Sequence, residues 1–151
     1  MWQLNLPTYK FNTKKSGDKI FIFDSQRKKY VSLTPEEWVR QNFIRFLIDE
    51  KNYPAALIAT ETQILINGMR KRCDAIVFDR QMNPIIIIEF KSPFVPISQE
   101  TFDQVAVYNF KLDVSVFILS NGYQHFFCRI KPDKTGYEIR QEIPDFKSIE
   151  V

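Results

Sequence analysis

Between Arg72 and Lys91 the chain reads RCDAIVFDRQMNPIIIIEFK, and Asp74, Glu89 and Lys91 in this stretch could do chemistry together. Two apolar runs flank a short polar turn, the pattern of an antiparallel strand pair. With the turn centred between Gln81 and Met82, residues whose numbers sum to 163 lie opposite each other, so Asp74 meets Glu89. Opposed strand residues share a face at a Cβ separation of about 5 Å, and alternation brings Lys91 to the same face. Two carboxylates that close repel each other unless a positive charge stands between them. Their apolar neighbours read as buried strand, where an unpaired carboxylate is costly. Oxygen donors without a His or thiol cluster point to Mg²⁺ or Mn²⁺ rather than zinc. Lys91 cannot ligate a cation while charged, but it suits orienting a water or stabilising charge on a phosphate. The plainer alternative is a pair of exposed strand acids matched by lysines, with Lys91 as a salt-bridge partner of Glu89.

An Asp followed about fifteen residues later by Glu-x-Lys, after an aliphatic run, resembles the PD-(D/E)xK nuclease superfamily, with Cys73 in the place of the Pro. Gln104 and Tyr108 match the Q-x-x-x-Y motif of its RecB-like branch, and a spacing of four puts both on one helix face. The run TPEEWVRQ at residues 34–41 resembles the opening helix of the type I restriction enzyme R-subunit N-terminal domain. The resemblance implies a restriction-endonuclease-like α/β core, a mixed sheet flanked by helices. It implies Asp74, Glu89 and the backbone carbonyl of Phe90 as metal ligands, with Glu37 as the acid of the first core helix. It also implies that Gln104 and Tyr108 lie over the active site, and that products carry 5′-phosphate and 3′-hydroxyl ends. Against the metal role of Glu37 stands a capping box, Thr34-x-x-Glu37, which needs no metal.

The remaining elements must position these groups. Apolar runs at residues 9–12 and 20–23, around Lys-Ser-Gly-Asp, suggest an N-terminal β-hairpin, with residues 29–33 a further extended piece. Thr34 and Pro35 open a helix whose stripe of Trp38, Val39, Phe43, Phe46 and Leu47 runs to about Lys51, where Asn52-Tyr53-Pro54 stops it. A strand over 56–66 and an Asn67-Gly68 hairpin turn lead into the Asp74 strand. Pro93 and Pro96 break the chain, and Ser98 caps a second helix from Gln99 to about Lys111. Strands over 114–119 and 123–130 follow, with one more over 137–143. A single domain covers 1–151: a hairpin extension to residue 33, a core over 34–130, and a C-terminal strand and tail over 131–151.

Net charge is only +3, but residues 1–72 hold 13 Lys and Arg against 7 Asp and Glu, and the remainder 8 against 11. Lys14-Lys15, Arg27-Lys28-Lys29 and Arg70-Lys71-Arg72 would suit a phosphate backbone, as would Arg40 if it is not paired with Glu36 or Glu37. Solvated turns explain Lys14-Lys15 more simply. The 14 Phe and 6 Tyr could stack on bases, although core packing accounts for most such rings. His125, the single histidine, reads as a packing or surface residue, and no His-based nucleophile relay can be built from it. No apolar run approaches the roughly 20 residues needed to span a bilayer, and the opening MWQLNLPTYK lacks the pattern of a signal peptide. Two isolated cysteines suit a reducing cytoplasm.

Two functions follow. The first is a Mg²⁺- or Mn²⁺-dependent nuclease hydrolysing DNA, restriction or repair related; a single site cuts one strand, so a double-strand break would need a homodimer or two events. The second is a nuclease fold used without turnover, for nucleic-acid binding or assembly with a restriction or helicase partner subunit. No G-x-x-x-x-G-K phosphate loop is present, so motor activity would have to come from such a partner.

Overall fold

The computed structural model describes residues 2–66 and 68–149. The chain opens with a three-stranded antiparallel sheet of β1 (Thr13–Ser16), β2 (Lys19–Asp24) and β3 (Lys29–Ser32). The expected hairpin is therefore present, but its first strand begins later. Ser16 pairs with Lys19 across Gly17-Asp18, and Gly17 takes the left-handed conformation (φ +62°) that so short a turn demands.

Helix α1 (Pro35–Lys51) begins where local chemistry dictates. The Thr34 hydroxyl accepts the Glu37 N–H, Pro35 fills the first turn, and left-handed Asn52 ends the helix by donating its N–H to the Leu47 carbonyl. Val39, Phe43 and Leu47, at intervals of four, are fully buried, each worth about 1.5–3 kcal/mol to the fold. A 3-10 turn (Ala55–Leu57) leads to β4 (Ile58–Ile66), β5 (Met69–Phe78) and β6 (Pro84–Phe90). Ile66 pairs with Met69 at the β4–β5 turn. Of the Asn67-Gly68 turn, Asn67 lies outside the described residues, while Gly68 has φ +76°.

Helix α2 (Gln99–Leu112), capped by Ser98 accepting the Thr101 N–H, crosses to β7 (Val116–Ser120); β8 (His125–Ile130), β9 (Tyr137–Arg140) and a short α3 (Phe146–Ile149) complete the chain. The large sheet runs β4-β5-β6-β7-β8-β9, with β6 and β7 parallel and every other neighbour antiparallel. A parallel pair requires a long crossover, which α2 supplies. Central position explains the sequence of β6: Ile86, Ile87 and Ile88 are all fully buried because both faces of the sheet are covered. On one face, α1 packs against Ala75, Val77, Ile88 and Ile118. On the other, Phe102, Val105 and Ala106 of α2 pack against Phe117, Leu119 and Cys128.

The carboxyl ends of β6 and β7 lie side by side, with the Lys91 N–H donating to the Ser120 carbonyl at 2.9 Å. His125 packs against Phe43 and is bonded through Nδ1 to the Ser120 hydroxyl and through Nε2 to the Asn5 carbonyl; its burial lowers its pKa. Both cysteines are buried free thiols. Among the described residues no helix is long and apolar enough to cross a membrane.

Candidate active site

The site forms where β5 and β6 part. Their register is 163, as the turn position demands, from Ala75↔Ile88 through Val77↔Ile86, with a shift near Phe78. Asp74 and Glu89 fall one step beyond the last paired residues. Asp74 reaches across the fork, its Oδ2 accepting the Phe90 N–H at 2.8 Å. Asp74 thus fixes the chain where the Glu-x-Lys segment begins.

Glu89 is half-buried, and its pKa rises to about 7, first through burial and then through the Asp74 charge; Lys71 and Lys91 pull the other way. Lys71 Nζ stands 3.7 Å from Glu89 Oε1 and 3.9 Å from the centre of the Tyr108 ring. Tyr108 therefore reaches the site through Lys71, which holds a cation–π contact above the carboxylate. Gln104, one turn earlier on α2, is exposed, and its amide donates to Glu100 at 3.4 Å. Lys91 is half-buried, with its charge acting on both Glu89 and Glu36.

Helix α1 delivers a different acid from the one expected. Glu36 is the residue that feels Asp74 and Lys91: burial and then the Asp74 charge raise its pKa, while Lys91 and Arg40 oppose the rise. Glu37, expected as a metal ligand, points instead into a buried ion cluster. Its carboxylate accepts from Arg27 at 3.0 Å, from Gln41 at 3.1 Å, and from Arg40. Only half of the capping box forms, because the Thr34 N–H donates to the Ser32 carbonyl rather than to Glu37. Arg40, expected to face a phosphate, is buried between Glu37 and Glu61. Arg72 bonds the same Glu61 at 2.8 Å, whereas Arg70 is exposed on β5.

Sequence reasoning missed Glu36 and Glu61. Adjacent helix residues diverge by about 100°, so Glu36 and Glu37 cannot both serve one site. Arg40 and Gln41, three and four residues beyond Glu37, were the signal that Glu37 already had partners. Nothing local marks Glu61. It is opposite Asp74 by register and holds φ +47° inside β4, a left-handed conformation costing of order 1 kcal/mol.

Among the described residues no three His, Cys, Asp or Glu side chains form a ready ligand cluster. The donor set is nevertheless that of a hard cation. Asp74 and Glu89 repel each other when both are ionised, and that repulsion adds to burial in raising the Glu89 pKa. Mg²⁺ commonly takes one or two carboxylates and keeps several waters, so this pair, with a main-chain carbonyl, fits it.

A crystal structure of a presumed nuclease of DUF820 from Anabaena variabilis ATCC 29413 is similar over 80% of this chain and 75% of its own, at 14% identity and a TM-score of 0.48. No curated protein matches the chain. The family profile described as type I restriction enzyme R protein N terminus matches residues 35–144, from the first turn of α1 past the end of β9. With that span covering the fork of β5 and β6, both flanking helices and the whole large sheet, the chain belongs to the type I restriction enzyme R protein N-terminal family.

Proposed function

We propose that this domain hydrolyses phosphodiester bonds of DNA, with Mg²⁺ or Mn²⁺ held by Asp74, Glu89 and the Phe90 carbonyl. Glu36 takes the acidic position on the first helix. The observation that carries this reading is the half-buried Asp74–Glu89 pair beside Lys91, with Glu89 at the carboxyl end of a parallel strand. Crevices at such strand ends are where open α/β sheets bind their ligands. A bound divalent cation would supply a lowered water pKa and neutralise charge on the phosphate.

The protein's own groups divide the remaining work. Asp74, anchored through the Phe90 N–H, fixes the relative position of the two carboxylates. Glu89 must lose its proton to bind a cation, and Lys71 and Lys91 both favour that loss. Lys91 stabilises the charge that develops on the scissile phosphate. Tyr108 keeps Lys71 oriented over Glu89, and Gln104 stands on the exposed α2 surface where a nucleotide would pass.

The test is cleavage of plasmid and single-stranded DNA with Mg²⁺ or Mn²⁺, comparing wild type with Asp74→Asn and Lys91→Met. Each variant should lose about 10²–10³ in rate, the scale for removing one preorganised charged or donor group. Asp74→Asn cutting as fast as wild type would refute the assignment. A wild type that cuts nothing while still binding DNA would make the domain a nuclease fold used for assembly.

A further inference from the structure

The N-terminal sheet lies outside the residues that the family profile matches, and its open face has a composition of its own. The register places Phe21 opposite Lys14 and Ser32, and Phe23 opposite Tyr30. Strand alternation puts these residues on one face, while Ile22 and Asp24 point the other way and are buried. Tyr30 is exposed, with its ring 5.3 Å from that of Phe23 in an edge contact. Lys14 Nζ lies 4.2 Å above the Tyr30 ring. A shallow, open depression lies between Lys14, Lys15, Ser16, Phe21 and Tyr30.

Charge points the same way. Residues 10–32 carry seven Lys and Arg against two Asp, in a chain whose net charge is +3. One of those two aspartates, Asp24, is already paired with Arg27. On the aromatic face itself, alternation places Lys14 and Lys19 and no acid, which suits a polyanion. Aromatic rings at alternate sheet positions, bordered by lysines, are the recipe for holding single-stranded nucleic acid: bases stack on rings of any identity, and lysines follow the phosphates.

We propose that the face bearing Phe21, Phe23, Tyr30 and Lys14 is a binding platform for single-stranded nucleic acid, separate from the metal site. One base stacks on Tyr30, and Lys14 turns from the ring to the adjacent phosphate. A duplex buries its bases and offers this face only its backbone, so single strands bind more tightly. The proposal needs no catalysis, and its failure is distinguishable from failure of the hydrolytic reading.

The experiment is fluorescence anisotropy of a labelled oligothymidylate with the full chain in EDTA, across a salt series. Lys134→Gln, which removes an exposed lysine outside this sheet, should bind as wild type does. Tyr30→Ala should weaken binding roughly ten-fold, within the range of one base–aromatic stack. Lys14→Gln should flatten the slope of log affinity against log salt by about 0.7, the loss of one phosphate contact to a single strand. Tyr30→Phe, which keeps the ring, should bind as wild type does and carries the test if Tyr30→Ala fails to fold. Absence of binding at low salt, including the case of a face that takes a protein instead, overturns the proposal. So does duplex preferred over single strand, equal weakening by Lys134→Gln and Lys14→Gln, or full affinity in folded Tyr30→Ala. Binding that persists in a protein that cleaves nothing would refute hydrolysis and leave the platform standing.

Discussion

Glu89→Gln should stabilise the metal-free protein increasingly as pH rises from about 4.5 through 7. In the fold the Glu89 pKa is raised from 4.5 to about 7, chiefly by burial and by Asp74. The folded state therefore binds this proton more tightly than the unfolded chain. Its contribution to stability is fully present below pH 4.5, and it is lost as pH rises through 7. At about 1.4 kcal/mol per pH unit, ionising Glu89 costs the fold about 1 kcal/mol at pH 5 and about 3 kcal/mol above pH 8. Glutamine keeps the shape and carries no charge, so it escapes this cost. Losing the Lys71 ion pair adds an offset that hardly changes between pH 5 and 8, because Lys71 stays charged there. Thermal melts in EDTA would then show the gap between variant and wild type widening by about 2 kcal/mol, or about 4–8 °C for a chain of this size. Parallel melting curves from pH 5 to pH 8 would refute the claim that Glu89 is held against ionisation. Saturating Mn²⁺ should remove the pH dependence from wild type alone, because only wild type can exchange the proton for a cation.

Glu36 and Glu37 separate under calorimetric titration with Mn²⁺. Glu36→Gln should weaken binding several-fold with little change in melting temperature, whereas Glu37→Gln should cost about 1–3 kcal/mol of stability, because Arg27 keeps only Asp24 and Arg40 only Glu61 as a charged partner, and leave the metal affinity of the folded protein nearly unchanged. The reverse result would return the metal role to Glu37. Gly122→Ala should destabilise by about 1–3 kcal/mol in a denaturant melt. Gly122 sits at φ +89°, and a Cβ there would meet Leu4 at 2.7 Å and Val39 at 3.2 Å. The same peptide accepts the Asn5 N–H at 2.9 Å, so the variant should also loosen the N-terminal segment, seen as faster hydrogen exchange at Asn5. An unchanged midpoint would show that this close approach is not needed.

Much of this molecule follows from local chemistry. The cap at Thr34, the stop at Asn52 and the turn at Asp79–Asn83 each use contacts within a few residues, so sequence suffices to place them. Register follows as well, because a turn fixes strand pairing and period-two alternation does the rest. The 163 register that brings Asp74 to Glu89 is such a consequence. The mixed sheet also follows, since a second helix between apolar runs calls for a parallel crossover.

Tertiary structure alone decided which acid of α1 meets the site. Helix phase separates Glu36 from Glu37, but the rotation of α1 on the sheet is set by Val39, Phe43 and Leu47 against strands far along the chain. The same packing buried Arg40 between Glu37 and Glu61, while Arg72 stays exposed and bonds the same Glu61. Lys71 likewise gained its place between Glu89 and Tyr108 only when α2 crossed the sheet. A charged side chain takes the nearest opposite charge the fold offers. That partner is a matter of distance in space, which spacing along the chain fixes only within an element.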